Sequence, residues 1–205
     1  MRLRVNPTRM ELLKVRRRLA TARRGHKLLK DKLEGLMKEF MERVAGYREL
    51  RRRIDGELPR VLGRFLMAEL LAGASVLRPA LESARPAVEV GFRTRKLVGV
   101  PVPEVGLSLG PAGPYSFLDT PASLDAAVTA MRQMAPSLAE LARQEEAVRR
   151  LAREVEKTRR RTNALEHVLI PNLQETRLYI AAKLDENDRS NVSRLMKIKD
   201  MIRKQ

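Results

Sequence analysis

The 205-residue sequence contains no cysteine and no tryptophan, and aromatic residues make up only 3% of it. Without cysteine, the chain can form neither disulfide bonds nor thiolate metal sites. So low an aromatic content argues against a thick globular core. No signal peptide and no apolar run of about 18 residues is present. We therefore expect a soluble, intracellular and mostly helical protein without direct membrane insertion.

Basic residues outnumber acidic ones, with 42 lysines and arginines against 25 aspartates and glutamates and a formal net charge of +17. An excess of this size favours an anionic partner. Composition alone leaves nucleic acid, an anionic membrane face and an acidic protein surface all open. Much of the excess lies in arginine runs near the N-terminus, at residues 16–18, 23–24 and 51–53.

Apolar or aromatic residues recur at every seventh position over residues 12–61, and a second row follows three residues later, with three imperfections in the two rows, among them Arg43 and Glu57. Two such rows are the a and d lines of a heptad repeat and predict a coiled-coil seam. A strict repeat of seven forces a left-handed supercoil with a partner helix. In this helix the predicted seam residues are Leu12, Val15, Leu19, Leu29, Leu33, Leu36 and Phe40.

The first helix has a marked beginning. Thr8 and Glu11 have the spacing of a capping box, and Asn6-Pro7 precedes them. An apolar helical pattern continues beyond the heptads and should end or break between Gly73 and Arg85.

A change of pattern after residue 86 predicts a short β-hairpin. Apolar residues alternate with others over residues 88–92, and β-branched residues are frequent over residues 97–105. Pro101 and Pro103 restrict any strand there to an edge, because proline cannot donate to a ladder. Residues 110–114 predict a loop by composition.

A second long helix should begin near residues 120–125 and run almost to the C-terminus. Its seam is looser, and Thr162 and Glu166 are among the residues that interrupt it. Pro171 removes a backbone donor, so we expect a kink over residues 169–173. The predicted seam residues of this helix are Leu141, Val148, Val155 and Leu169.

These features predict an all-α-dominated fold, a long antiparallel left-handed two-helix coiled coil with a small middle insert that contains a short β-hairpin. Residues 1–75 form the N-terminal coiled-coil helix, residues 76–120 the insert with a short helix and the hairpin, and residues 121–205 the C-terminal coiled-coil helix. The chain reversal favours pairing within one chain. Parallel self-dimerisation through the N-terminal heptads is the alternative.

No catalytic, cofactor or metal site is predicted. The sequence contains neither a phosphate-binding loop of the Walker type nor a nucleophile elbow. His26 occupies a seam position with no second histidine or paired carboxylate placed beside it by the sequence. The acidic cluster Asp185, Glu186 and Asp188 is typical of a solvated helix face.

Three segments carry a resemblance to a known family. They are Asn-Pro-Thr-Arg-Met-Glu-Leu-Leu at residues 6–13, Arg-Gly-His-Lys-Leu-Leu-Lys-Asp-Lys at residues 24–32 and Arg-Thr-Asn-Ala-Leu-Glu at residues 161–166, with Ile170-Pro171 and Leu173 following. In this order they resemble the D subunit of the V-type (archaeal/bacterial V/A-type) ATPases. The resemblance covers both predicted helices.

The resemblance implies the central rotor shaft of a rotary ATPase or ATP synthase, which couples ATP hydrolysis or synthesis to ion translocation. In that family the shaft penetrates a ring of catalytic A and regulatory B subunits, binds the F subunit and docks in the C subunit on the membrane ring. It implies a non-catalytic subunit without cofactors, monomeric within a hetero-oligomer. We accordingly expect a cytoplasmic protein, peripheral to the membrane, that binds no nucleic acid.

On this interpretation, basic residues of both helices contact acidic or polar surfaces of the ring. Two alternatives belong to other classes. A basic coiled-coil nucleic-acid binder predicts steeply salt-dependent duplex binding, and a homodimeric scaffold predicts twice the monomer mass in solution. The predicted ring contacts are Arg16, Arg17, Arg23, Arg24, Lys27, Arg159, Arg160 and Arg161.

Overall fold

The computed structural model describes residues 5–116 and 118–203. Long helices with a two-stranded antiparallel sheet inserted in the middle of the chain confirm the predicted fold class. The elements are α1 (Arg9–Ala72), α2 (Ala74–Ser83), β1 (Val88–Leu97), β2 (Val100–Leu109), α3 (Ala122–Ala164), a π-helical turn (Leu165–Leu169) and α4 (Ile170–Arg203).

The division into residues 1–75, 76–120 and 121–205 stays a prediction. These three segments include residues 1–4, 117 and 204–205, which lie outside the described part of the chain. Contacts within the structure group the chain into two compact units. Unit 1 comprises Met1–Glu34 and Val155–Gln205, and unit 2 comprises Gly35–Glu154.

Helix α1 begins where the sequence marks it and ends just before the predicted range. The backbone N–H of Glu11 donates to Thr8 Oγ1 over 3.2 Å, which satisfies one of the free donors of the first turn. The helix ends before Gly73, whose φ of +79° lies in the left-handed region that glycine adopts at little cost. The chain then continues as the short helix α2.

In unit 1, the start of α1 packs against α4 in antiparallel orientation. Arg9 Nη2 lies 3.2 Å from Asp188 Oδ2, and further along α1 His26 Nε2 lies 3.3 Å from Glu166 Oε2. Residue numbers therefore rise along α1 as they fall along its partner. The buried cluster between the helices consists of Val15, Leu19, Ala22, Leu173 and Ile180.

The structure places most predicted seam residues away from solvent. Val15, Leu19 and Leu36 are buried. The partly buried ones are Leu12, Leu29, Leu33, Phe40, Leu141, Val148 and Val155. Leu169 departs from the prediction, because its side chain is 41% exposed within the π-helical turn.

Threonines occupy seam positions that the apolar pattern misses. Thr158, Thr162 and Thr176 are buried in unit 1. Thr162 Oγ1 donates to the Thr158 carbonyl over 3.0 Å, and Thr176 Oγ1 donates to the Asn172 carbonyl over 2.7 Å. A hydroxyl satisfied by its own helix can be buried at low cost. The interpretation of Thr162 as an interruption of the seam was therefore wrong.

In unit 2, α1 and α3 also run antiparallel and α2 packs beside them. Arg64 Nη1 donates to the Ala126 carbonyl over 3.5 Å, and a Cβ added at Gly46 would lie 3.8 Å from Gln144 Oε1. A second buried cluster joins the three helices. It consists of Ala68, Leu77, Ala80 and Leu124.

The β-hairpin in unit 2 turns through two residues. Leu97 lies opposite Val100, so Val98 and Gly99 form the connection, with φ values of +48° and +81°. Positive φ at both central residues is the type I′ geometry, whose twist matches that of the flanking strands. Predicting a hairpin here was correct, and both strands of this two-stranded sheet are edges, as the prolines require.

A partly buried phenol in unit 2 predicts sensitivity to high pH. Tyr115 donates a hydrogen bond to Asp125, and burial, aided by this bond, raises the pKa of Tyr115 from 10.0 to about 12. A raised pKa stabilises the fold fully below about pH 10, and this contribution is lost as the pH rises through about 12.

We therefore expect urea unfolding of the wild-type chain to show a free energy that falls between about pH 10 and pH 12. Tyr115→Phe removes the ionising group and should make this fall shallower. Circular dichroism at a series of pH values measures both curves. Parallel curves for the two proteins would show that Tyr115 does not contribute to the pH dependence.

Candidate partner-binding surface

A run of basic residues without acids lies on α1 in unit 1. Between Glu11 and Asp31 the sequence has eight lysines and arginines and no acidic residue. All eight side chains are exposed. We call this set the basic band. It consists of Lys14, Arg16, Arg17, Arg18, Arg23, Arg24, Lys27 and Lys30.

Most of the basic band lacks a partner among the described residues. Lys14 Nζ lies 2.7 Å from Glu11 Oε1, in the first turn of the helix. The arginines of the band form no ion pair or hydrogen bond with the part of the chain that the structure describes. Like charges on neighbouring turns of a helix repel each other. An acidic partner surface would relieve this repulsion, so the band is suited to bind one.

The predicted ring contacts fall into two groups, on α1 and at the end of α3. Five of them belong to the basic band, and the other three lie at the end of α3 and are exposed. Arg160 forms an ion pair with Glu156, one turn earlier on its own helix. Its charge is therefore partly compensated within the chain. The contact of these eight residues with a ring stays a prediction.

Many arginines of unit 2 differ from the basic band because they have acidic neighbours one turn away. The hydrogen bond from Arg143 lowers the pKa of Glu140, and Glu140 raises the pKa of Arg143. The N···O distances of the other pairs range from 2.7 to 3.7 Å. These pairs are Arg43–Glu39, Arg51–Asp55, Arg53–Glu49, Arg149–Glu145 and Arg150–Glu146.

Composition and run length alone did not distinguish the arginines of the basic band, unpaired among the described residues, from the paired arginines of unit 2. The residues 51–53 form a run as dense as residues 16–18. The useful signal is an acidic residue three or four positions away, since only that spacing brings two side chains together on a helix.

His26 has a partner that sequence reasoning did not assign. Glu166, interpreted as an interruption of the seam, places Oε2 3.3 Å from His26 Nε2. The pair joins α1 to the π-helical turn. Among the described residues no group of three or more histidines and acids is placed to hold a metal ion, and none of their helices is long and apolar enough to span a membrane.

Comparison with known proteins identifies the family. The profile of a family described as the D subunit of ATP synthase matches residues 11–200. The chain belongs to this family. It is 43% identical to the V-type ATP synthase D subunit of Acetivibrio thermocellus over 208 residues, which is 99% of this chain and 94% of the relative.

Other relatives agree. Identity to the V-type ATP synthase D subunit of a Thermoanaerobacter species is 44% over 203 residues, which covers 98% of this chain and 97% of the relative. Identity to the Clostridium botulinum protein of the same name is also 44%, over 98% and 96% of the two chains. The resemblance drawn from the three sequence segments is therefore confirmed.

In this member of the D-subunit family, Pro171 follows directly on the π-helical turn. The N–H of Ile170 donates to the carbonyl of Leu165, five residues earlier. Proline has no N–H for the carbonyl of His167, four residues before it. A wider turn thus lies on the N-terminal side of Pro171. The kink over residues 169–173 stays a prediction.

Pro171→Ala restores the missing donor and should allow the Leu165–Leu169 turn to relax to a regular α-helix. The direction of the helix should straighten accordingly, as seen in a crystal structure of the variant. Pro59→Ala, in the middle of α1, serves as a control that should leave the turn in place. Retention of the π-helical turn and an unchanged helix direction in Pro171→Ala would contradict this explanation.

Proposed function

We propose that this chain is the central rotor-shaft subunit of a rotary V/A-type ATPase/ATP synthase. In this role it couples ATP hydrolysis or synthesis in a ring of A and B subunits to ion translocation across the membrane. The observation that carries the proposal is the family match over residues 11–200. The relatives are named as D subunits of V-type ATP synthases, and the antiparallel helix pairing in each unit fits a shaft.

A rotor-shaft subunit must transmit torque. Two helices that pack along a common buried seam resist twisting and bending more than a single helix does. In unit 1 the seam is closed by Leu19, Leu173 and Ile180, which are at most 4% exposed. Catalysis would then take place on the A and B subunits, and this chain would contribute no catalytic residue.

The exposed arginines suit a surface that must slide. Each exposed ion pair contributes about 0–1 kcal/mol, so pairs with acidic ring residues can be exchanged one by one as the shaft turns. A few strong buried pairs would instead hold the shaft at one angle. The state of each A–B interface and the angle of the shaft then bias each other reciprocally.

The remaining contacts follow from the same role. We propose that the F subunit binds on the flank of the helix pair and that the C subunit receives the end that carries the middle insert, residues 76–120. The chain would act as a single copy in a hetero-oligomer that is cytoplasmic and peripheral to the membrane.

Co-expression with the A, B and F subunits of the same organism tests this role. We expect one complex with a single copy of this chain per three A–B pairs by native mass spectrometry. Its ATP turnover should differ from that of the ring alone. Failure to associate, together with steeply salt-dependent binding of duplex DNA by the chain, would favour the nucleic-acid-binding alternative instead. A stable homodimer would favour the scaffold.

A further inference from the structure

The hydrogen-bonding pattern of the β-hairpin follows from its turn. A two-residue type I′ turn is closed by a hydrogen-bonded pair, here Leu97 and Val100. Pairs then alternate along the ladder, so Lys96–Pro101 and Thr94–Pro103 are non-hydrogen-bonded pairs. Their N and C=O groups point away from the partner strand. Because Pro101 and Pro103 occupy non-hydrogen-bonded positions, their missing N–H groups cost the hairpin no hydrogen bond between β1 and β2.

The outer edge of β2 is blocked near the turn. Pro101 and Pro103 offer no N–H on that side. The outward carbonyl of Pro101 accepts a hydrogen bond from Arg150 Nη1 of α3 over 3.0 Å. Val100 and Val102 on the same strand are 6% and 5% exposed. A further strand therefore cannot pair with this edge over residues 101–103.

The outer edge of β1 is open. Every residue of β1 is exposed except Leu97, which is partly buried. No backbone hydrogen bond from another described segment reaches the strand. Its outward N–H groups are unbroken by proline, and an exposed edge of this length is a template for strand addition. They belong to Val88, Val90, Phe92, Thr94 and Lys96.

The charges on β1 indicate which strand would fit. Arg93, Arg95 and Lys96 outnumber the single acid of the strand, Glu89, and Arg95 is only loosely paired, 3.7 Å from Glu104. Two copies of β1 paired edge to edge would each bring an excess of two positive charges to the contact, which is unfavourable overall. An acidic strand would instead be attracted. Val90 and Phe92, 46% and 74% exposed, favour apolar residues on one of its faces.

We propose that the outer edge of β1 binds an extended segment of another subunit, with acidic and apolar residues in alternation, as a third strand of this sheet. The segment would bond to the backbone of β1 and place its carboxylates beside Arg93 and Arg95. This inference rests on the proposed function, because it takes the partner to be a subunit of the same rotary complex.

Hydrogen–deuterium exchange of the isolated chain and of the complex with the A, B, F and C subunits tests the proposal. Electron-transfer fragmentation resolves the single amides of β1. We expect the outward amides of Val90, Phe92 and Thr94 to exchange at least about tenfold more slowly in the complex. The inward amides of Arg93 and Arg95 should be protected in both states.

A matched pair of substitutions isolates the backbone contribution. Phe92→Pro removes one outward N–H and should abolish the added protection at Val90 and Thr94. Phe92→Val shortens the same side chain, retains the N–H and should keep that protection. Unchanged exchange at Arg93 and Arg95 would show that the hairpin is intact in both variants.

Each other outcome has a defined meaning. A complex that forms while the outward amides of β1 exchange as in the free chain would overturn the third-strand proposal and leave the shaft role standing. Failure of the chain to join any complex would overturn the shaft role and this partner with it. Protection in the isolated chain that grows with its concentration would show a second copy on the edge, contrary to the charge argument.

Discussion

Neutralising three arginines of the basic band should weaken binding of the chain to the A–B ring roughly tenfold at low salt. Each arginine is exposed, unpaired among the described residues, and on the proposed role contributes about 0.5 kcal/mol through an exposed ion pair with the ring. Surface plasmon resonance on the immobilised ring measures the affinity. The substitutions are Arg16→Gln, Arg23→Gln and Arg24→Gln.

The control removes the same charge from arginines that already have partners in the chain. We expect it to change ring affinity by less than about threefold, since those guanidinium groups are partly compensated. The loss in the band variant should also shrink as salt rises, because exposed pairs are screened. Equal losses in both variants would indicate that net charge alone sets the affinity. The control substitutions are Arg51→Gln, Arg53→Gln and Arg149→Gln.

Ile180→Ala should destabilise unit 1 by about 2–5 kcal/mol, because it leaves a cavity in a seam that cannot collapse fully. The Ile180 side chain is 0% exposed and packs in one cluster with Leu19 and Leu173. Chemical denaturation gives the loss of stability. Hydrogen exchange locates it, with faster exchange expected in unit 1 and little change over Gly35–Glu154.

Leu178→Ala is the matched control on the same helix. Leu178 lies two residues from Ile180, but its side chain is 61% exposed. Surface substitutions of this kind usually change stability by about 0.5 kcal/mol or less. If Leu178→Ala cost as much as Ile180→Ala, the buried face of α4 would not be the one that the cluster defines.

Comparing Ile180→Ala with the basic-band variant separates the effect of helix packing on the shaft from the effect of its surface charge. Ile180→Ala weakens the packing between the helices and leaves the basic band unchanged, whereas the arginine variant does the opposite. On the proposed role, the first should impair coupling between ATP turnover and ion transport in the assembled complex. The second should act mainly on assembly.

Local patterns in the sequence predicted the type and extent of the elements. The heptad rows predicted α1, the Thr8 cap marked its beginning, and its end at Ala72 lies just before the predicted range of Gly73 to Arg85. Alternation over residues 88–92 predicted the hairpin. These predictions succeed because helix periodicity, capping and φ preferences act between residues close in the chain. The family, too, could be identified from three short segments.

By itself, then, the sequence determined a pair of long basic helices with a β-hairpin between them and the family to which they belong. Only the tertiary structure decided which side chains face a neighbour. It exposed Leu169, buried Thr162 and Thr176, and placed Glu166 against His26. It also left the outer edge of β1 open, while Arg150 of α3 bonded to the outer edge of β2 at Pro101. The reason is physical: burial and pairing depend on the register between segments distant in the chain, and a one-turn shift or a π-helical turn resets that register without changing the local pattern.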